Sequence, residues 1–187
     1  EVVRAPFGSR DLFLEGQATI PSDTVCYPAK MMHGSVTHLI KKQGIDKIFY
    51  PCMPYNFDEK ISDNHYNCPV VAYYPEVLSA NMSILQDVRF WKEYFGPHNE
   101  KHFVKRLYQF FKQDNVTLQE AKAAASGGYK EQQAYLKDLK RYGKEAIAFA
   151  RQHDLPIIVL AGRPYHIDPE INHGIDQLIT SYGAVVI

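Results

Sequence analysis

Thr117-Leu118-Gln119-Glu120 sets the strongest constraint on what this chain can fold into. A threonine followed three residues later by glutamate is a capping box, in which each side chain reaches a backbone N–H that the first helical turn leaves unpaired. The residues beyond it read as one long helix running as far as His153, with Gly127-Gly128 and Gly143 as its weak points. Lys130, Glu131, Lys137, Asp138, Arg141 and Glu145 give it a mixed-charge, solvated face. The chain is therefore expected to divide into residues 1–114, a helical connection over 115–155, and residues 156–187.

Upstream, Met32, Val36 and Ile40 recur at every fourth position, the signature of an amphipathic helix over Pro28–Gln43. Ser22-Asp23 offers an N-cap, Lys41 and Lys42 suit the last turn, and Gly44 the position just past it. Ile45–Tyr50 reads as a short strand stopped by Pro51, and residues 51–67 as an ordered loop. Cys68–Tyr73 reads as a second strand with proline where a missing N–H is tolerated. A helix is expected from Pro75, and another over Phe90–Gln113 interrupted at Gly96-Pro97. Residues 1–20 read as irregular. Leu155–Ala161 suits a buried parallel strand. A helix over Pro169–Tyr182, then Gly183 and a strand over Ala184–Ile187, complete a strand–loop–helix–strand unit. The fold class is α/β: a Rossmann-like or flavodoxin-like parallel sheet with an inserted helical segment and a truncated second α/β half. The chain opens on Glu1 rather than Met and stops inside an apolar run, so it is read as a piece of a longer polypeptide.

Composition removes several function classes. The 187 residues are 45% hydrophobic and 22% charged, the balance of an ordered globular chain rather than a disordered one. The 21 Lys+Arg balance the 21 Asp+Glu, so no global field steers the chain to nucleic acid or an anionic membrane. No apolar stretch approaches the roughly 20 residues of a membrane span. Three cysteines are too few, and odd in number, for a secreted disulfide framework.

Those cysteines are the first chemical candidates. Cys26 lies at an expected helix N-terminus, where the helix dipole favours a thiolate. Cys52 lies just past an expected strand, where parallel sheets build their sites. Cys68 precedes the next element. Their spacing matches no zinc ribbon or ferredoxin run, so local context leaves both a ligand set and three small buried hydrophobes open. Lys30, a cation in a first helical turn, and His33 on the same helix are candidates for facing an anionic ligand, against solvated-lysine and core-histidine readings. Arg163-Pro164-Tyr165-His166 follows an apolar strand, so Arg163 and His166 could meet an anion or move a proton; Asp168 as a cap and a salt bridge for Arg163 is the plainer reading. Tyr73 and Tyr74 read by default as core. A zinc site would need His33 or His65 beside the three thiols.

Two blocks of the chain resemble a known family. Ile20-Pro21-Ser22-Asp23-Thr24-Val25-Cys26-Tyr27-Pro28-Ala29-Lys30, Ile48-Phe49-Tyr50-Pro51-Cys52 and Asn67-Cys68-Pro69 are similar to the cysteine-bearing opening of 2-hydroxyacyl-CoA dehydratase-type proteins. Together with Gly162-Arg163-Pro164-Tyr165-His166 and His173-Gly174, they resemble the branch joined to CoA-substrate-specific enzyme activases, the activator of 2-hydroxyglutaryl-CoA dehydratase type. The resemblance implies a [4Fe–4S]-type cluster held by Cys26, Cys52 and Cys68, with one iron open. It implies a low-potential electron delivered by an ATP-hydrolysing activase partner to a 2-hydroxyacyl-CoA thioester, whose ketyl radical loses water. It also implies an anaerobe's cytoplasm. The chain carries no phosphate-cradling glycine-rich motif, so ATP binding would belong to the activase domain and this chain alone would be inactive. The alternative is a metal-free scaffold or docking domain of the same multidomain protein, binding a partner or a small anionic ligand.

Overall fold

The computed structural model describes residues 2–60 and 62–187; Glu1, and Ile61 in the expected 51–67 loop, lie outside the described residues. The chain is mixed α/β and mostly helical (59%), with two small parallel two-stranded sheets. It forms two compact units, Asp11–Gly127 with the stretch up to Pro6, and Gly128–Ile187 with Phe7–Arg10.

The first unit opens on α1 (Arg10–Gly16) and a 3-10 turn (Gln17–Thr19), where irregular chain is expected from the sequence. α1 is too short to show a repeat, and it holds through contact: Leu12 and Phe13 bury against Met31. Gly16 and Gly34 make that contact close. A Cβ on Gly34 would collide with the Leu12 carbonyl oxygen, and one on Gly16 with the backbone of residues 33 and 34.

α2 (Tyr27–Gln43) is the expected helix, closed by Gly44 in the left-handed region at φ 64°. Its N-cap is Cys26 rather than Ser22 or Asp23, with Pro28 in the first turn. The Ser22 hydroxyl instead accepts from the Thr24 N–H at 3.3 Å. β1 (Lys47–Phe49) follows after three residues.

The expected second strand over Cys68–Tyr73 is a helix, α3 (Pro69–Asn81). Proline fits the first position of a helix as well as that of a strand. Val70, Tyr74, Leu78 and Met82 recur every four residues and turn one face into the core with Ala29, Val36 and Ile48. Pro75 sits inside this helix rather than starting it. Residues expected to begin a helix at Phe90 form β2 (Arg89–Trp91), which pairs in parallel with β1, Ile48 opposite Phe90. The pairing continues past the named strands: the Cys52 N–H donates to the Glu93 carbonyl at 3.0 Å, and the Phe95 N–H to the Cys52 carbonyl at 3.0 Å. The helix itself is α4 (Glu100–Phe111), started by Asn99, whose side chain accepts from the His102 N–H at 3.0 Å. Trp91, Phe95, Phe110 and Phe111 pack edge to face beside it.

α5 (Leu118–Gln152) is the long helix that the capping box announces. The Glu120 carboxylate accepts from the Thr117 N–H at 2.8 Å, and the Glu120 N–H donates to the Thr117 hydroxyl at 3.2 Å. Gly127, Gly128 and Gly143 do not break it.

In the second unit, β3 (Ile157–Ile158) and β4 (Val185–Val186) pair in parallel as expected, but each spans two residues. β3 is exposed rather than buried: Ile157 is 37% and Ile158 41% accessible. The expected helix over Pro169–Tyr182 is two, α6 (Pro169–Asn172) and α7 (Ile175–Ser181). His173 at φ 58° and Gly174 at φ 70° both take left-handed backbone, which ends one helix before the other starts. Among the described residues no helix is long and apolar enough to cross a membrane.

Candidate functional site

The first unit's topology brings the three cysteines to one end. β1 and β2 are parallel, so the chain must return from the finish of β1 to the start of β2, and α3 makes that return. Cys68, its N-cap, therefore lies at the carboxyl end of the strands. α2 enters β1 through three residues and turns back along it, which carries Cys26 to the same end. Cys52 follows β1 directly.

Cys26 and Cys68 are set up alike. Each is the N-cap of its helix, with φ and ψ of −62° and 151° at Cys26 and −60° and 150° at Cys68. Each is followed within two residues by proline, and among the described residues neither side chain makes a capping hydrogen bond. Each thiol thus sits beside the first-turn N–H groups that a helix leaves without intrahelical partners. Cys26 is exposed and Cys68 half-buried.

Cys52 differs. It is fully buried. Burial pushes its thiol pKa up and the nearby Glu76 carboxylate adds to this, while a hydrogen bond with Tyr94, the Glu76 backbone N–H and the Lys92 ammonium pull it back. Lys92 is ion-paired to Glu76. The ring of Tyr94 lies 5.9 Å from that of Tyr73. Tyr50 is pushed up to about 12, by burial first and then by Tyr74 and Cys52.

His33 is a buried hydrogen-bonding residue. Its Nδ1 lies 2.7 Å from the Thr19 hydroxyl and its Nε2 lies 3.0 Å from the Tyr74 hydroxyl. Burial lowers its pKa from 6.5 to about 4, so the ring is neutral at pH 7. Thr19 gives its one hydroxyl proton to the Gly16 carbonyl at 2.8 Å. His33 Nδ1–H must then donate to Thr19, which leaves Nε2 to accept from Tyr74. Both ring nitrogens are used, so His33 does not complete a zinc site. Tyr74, expected as core, is buried and also the donor that closes this run of hydrogen bonds; its partner His33 stands 41 positions away in sequence, and no local signal marks it. The Lys30 ammonium donates to the Asp23 carbonyl at 2.7 Å.

The donor set suits some metal groups and not others. Among the described residues no three His, Cys, Asp or Glu side chains gather tightly enough to hold a single metal ion. A lone ion draws its thiolates to about 2.3 Å from one point. A four-iron cluster spreads its ligands over separate irons, and three soft thiols at one end of a sheet are the donors it takes. Residues 1–187 match the CoA enzyme activase uncharacterised domain (DUF2229). The chain belongs to that family. Comparison with curated proteins and with solved structures gives no match.

The activase-associated domain's other candidates lie in the second unit. Arg163 is exposed. The His166 ring accepts from the Arg163 N–H at 2.8 Å, closing a 3-10 turn over Pro164–Ile167. Asp168 is the expected cap: it accepts from the N–H groups of Glu170 at 3.0 Å and Ile171 at 3.3 Å, and from that of Gly8 at 2.6 Å.

Proposed function

We propose that the cysteine end of the first unit binds a [4Fe–4S]-type cluster through Cys26, Cys52 and Cys68. In this reading the domain is the iron–sulfur module of a dehydratase or activase system acting on a CoA thioester. The observation that carries the reading is the pair of near-identical N-caps presenting Cys26 and Cys68 at the end of the sheet where Cys52 also lies. The family supports it, since the domain is associated with CoA enzyme activases.

When bound, such a cluster supplies a low-potential electron and an open iron. The chain's own residues have definable tasks. The N-termini of α2 and α3 present Cys26 and Cys68 as two of the cluster's ligands. The Tyr94 hydroxyl and Lys92 favour the Cys52 thiolate against its burial. Water is kept from Cys52 by the surrounding core, which strengthens every charge interaction there. The electron donor is an ATP-hydrolysing activase in the same or a partner polypeptide, and this domain by itself is inactive. Each parallel pair would be the nucleus of a Rossmann-like sheet, and an oxygen-sensitive cluster places the protein in an anaerobic cytoplasm.

The burial of Cys52 favours a second reading, a metal-free scaffold with Cys52 as a core thiol. Anaerobic reconstitution with iron and sulfide separates the two. The cluster reading expects about four irons per chain and a broad visible charge-transfer band. Both should be lost in Cys26→Ala, Cys52→Ala and Cys68→Ala. A folded protein that takes up no iron, in this chain and in the full activase polypeptide, leaves the scaffold.

A further inference from the structure

We infer that His33 and Tyr74 are positioning residues for the two N-cap cysteines; this rests on the cluster reading above. Their hydrogen bond sets the stagger of α2 on α3, and through it the separation of Cys26 from Cys68. His33 stands seven residues into the chain from Cys26, and Tyr74 six from Cys68. Seven residues are close to two turns of helix, so His33 lies beneath Cys26 on nearly the same face. A 3.0 Å bond between His33 Nε2 and the Tyr74 hydroxyl therefore pins the two helices at nearly equal depth below their cysteines.

The pin is itself held. Both residues are buried, and the rings meet edge to face at 5.7 Å. On its other side the imidazole is fixed by Thr19, and Thr19 by the Gly16 carbonyl. Gly16 and Gly34 let α1 approach α2 too closely for either helix to slide. A purely apolar α2–α3 contact resists separation but tolerates sliding along the ridges. A hydrogen bond with a partner on each side of one ring fixes a register. Three thiolates shared by one cluster need a fixed register, because the cluster's dimensions are set by its own bonds and not by the protein.

The test reads the spacing directly. Cys26 and Cys68 carry nitroxide labels in a Cys52→Ala background, and the distance between them is measured by pulsed electron spin resonance. The parent should give a narrow distribution. Tyr74→Phe, which keeps the ring and loses only the hydroxyl, should shift and broaden it, as should His33→Leu, with helix content by circular dichroism unchanged. His33→Gln keeps an N–H for Thr19 and an acceptor for Tyr74 and should restore the narrow distribution. Were His33→Leu to unfold, Tyr74→Phe and Thr19→Val would decide. A distribution that is already broad in the parent, or unchanged in Tyr74→Phe, overturns the inference. Iron uptake by unlabelled wild-type protein scores the cluster reading separately. In Tyr74→Phe the expected result is retained iron with a shifted electron spin resonance signal; an identical signal overturns the positioning role.

Discussion

Ile48 in β1 is 7% exposed, whereas Ile158 in β3 is 41% exposed. Both stand in the first strand of a parallel pair whose second strand is reached through a helical crossover. In the first unit the crossover is one helix of 13 residues, and its every-fourth-residue stripe from Val70 to Met82 covers the strands. In the second unit the crossover is broken at His173 and Gly174, and Ile175 and Leu178 of α7, with Tyr182 just past it, remain exposed. A parallel pair is stabilised by what covers its faces rather than by its own few ladder bonds. The same local succession therefore gives a core in one case and an open layer in the other.

Four measurements would break or sharpen that contrast. The largest effect is expected at Leu78, fully buried where α3 covers the strands. Leu78→Ala should cost about 3–4 kcal/mol through lost burial and a residual cavity, read by urea unfolding followed through Trp91, the single tryptophan. A loss below about 1 kcal/mol would mean that the first unit is no better packed than the second.

The next effect belongs to acid. His33 titrates near 6.5 in the unfolded chain and about 4 in the folded one. Between those values the unfolded state binds more protons, so stability falls as pH falls. The contribution of the neutral ring is intact above pH 6.5 and declines by about 3 kcal/mol on approaching pH 4. The slope of unfolding free energy against pH should be shallower in His33→Gln; equal slopes would place the acid sensitivity elsewhere.

Gly143 tests how α5 is held. Among the described residues a Cβ there meets no atom within 4 Å, so Gly143→Ala should add about 1 kcal/mol by helix propensity alone, visible as a raised midpoint in circular dichroism. Destabilisation would reveal a close contact on that face. The smallest effect is expected for Leu178→Ala in the exposed α7, within about 0.5 kcal/mol of wild type. A cost near that of Leu78→Ala would overturn the contrast between the units.

The sequence makes some of this readable and hides the rest for identifiable reasons. α2 and α5 are legible because their limits are written locally: Pro28 and Gly44 for one, Thr117 and Glu120 for the other. α3 reads wrongly as a strand because Cys68-Pro69-Val70-Val71 opens a strand as readily as a helix, and Pro75 hides the recurrence of Val70, Tyr74, Leu78 and Met82. β2 escapes notice because three residues between a 3-10 turn and a loop carry no period. α1 does so because its stability comes from a close approach to α2 that only the two glycines hint at. At the candidate site, the placing of Cys26 at a helix start and of Cys52 beyond a strand can be read from neighbours. The roles of His33 and Tyr74 cannot, since the bond between them joins residues 41 positions apart.

The run from Tyr74 through His33 and Thr19 to the Gly16 carbonyl has a single polarity, and its imidazole is shut away from water. The His33 Nδ1 proton is committed to one acceptor, Thr19, and cannot leave the buried ring unless the 3-10 turn over Gln17–Thr19 lifts from α2. Moved into heavy water, the imidazole proton on His33 Nδ1 should therefore persist long after those of the surface histidines have been replaced. Its lifetime would serve as a clock for the opening of that turn from α2 that needs neither label nor metal.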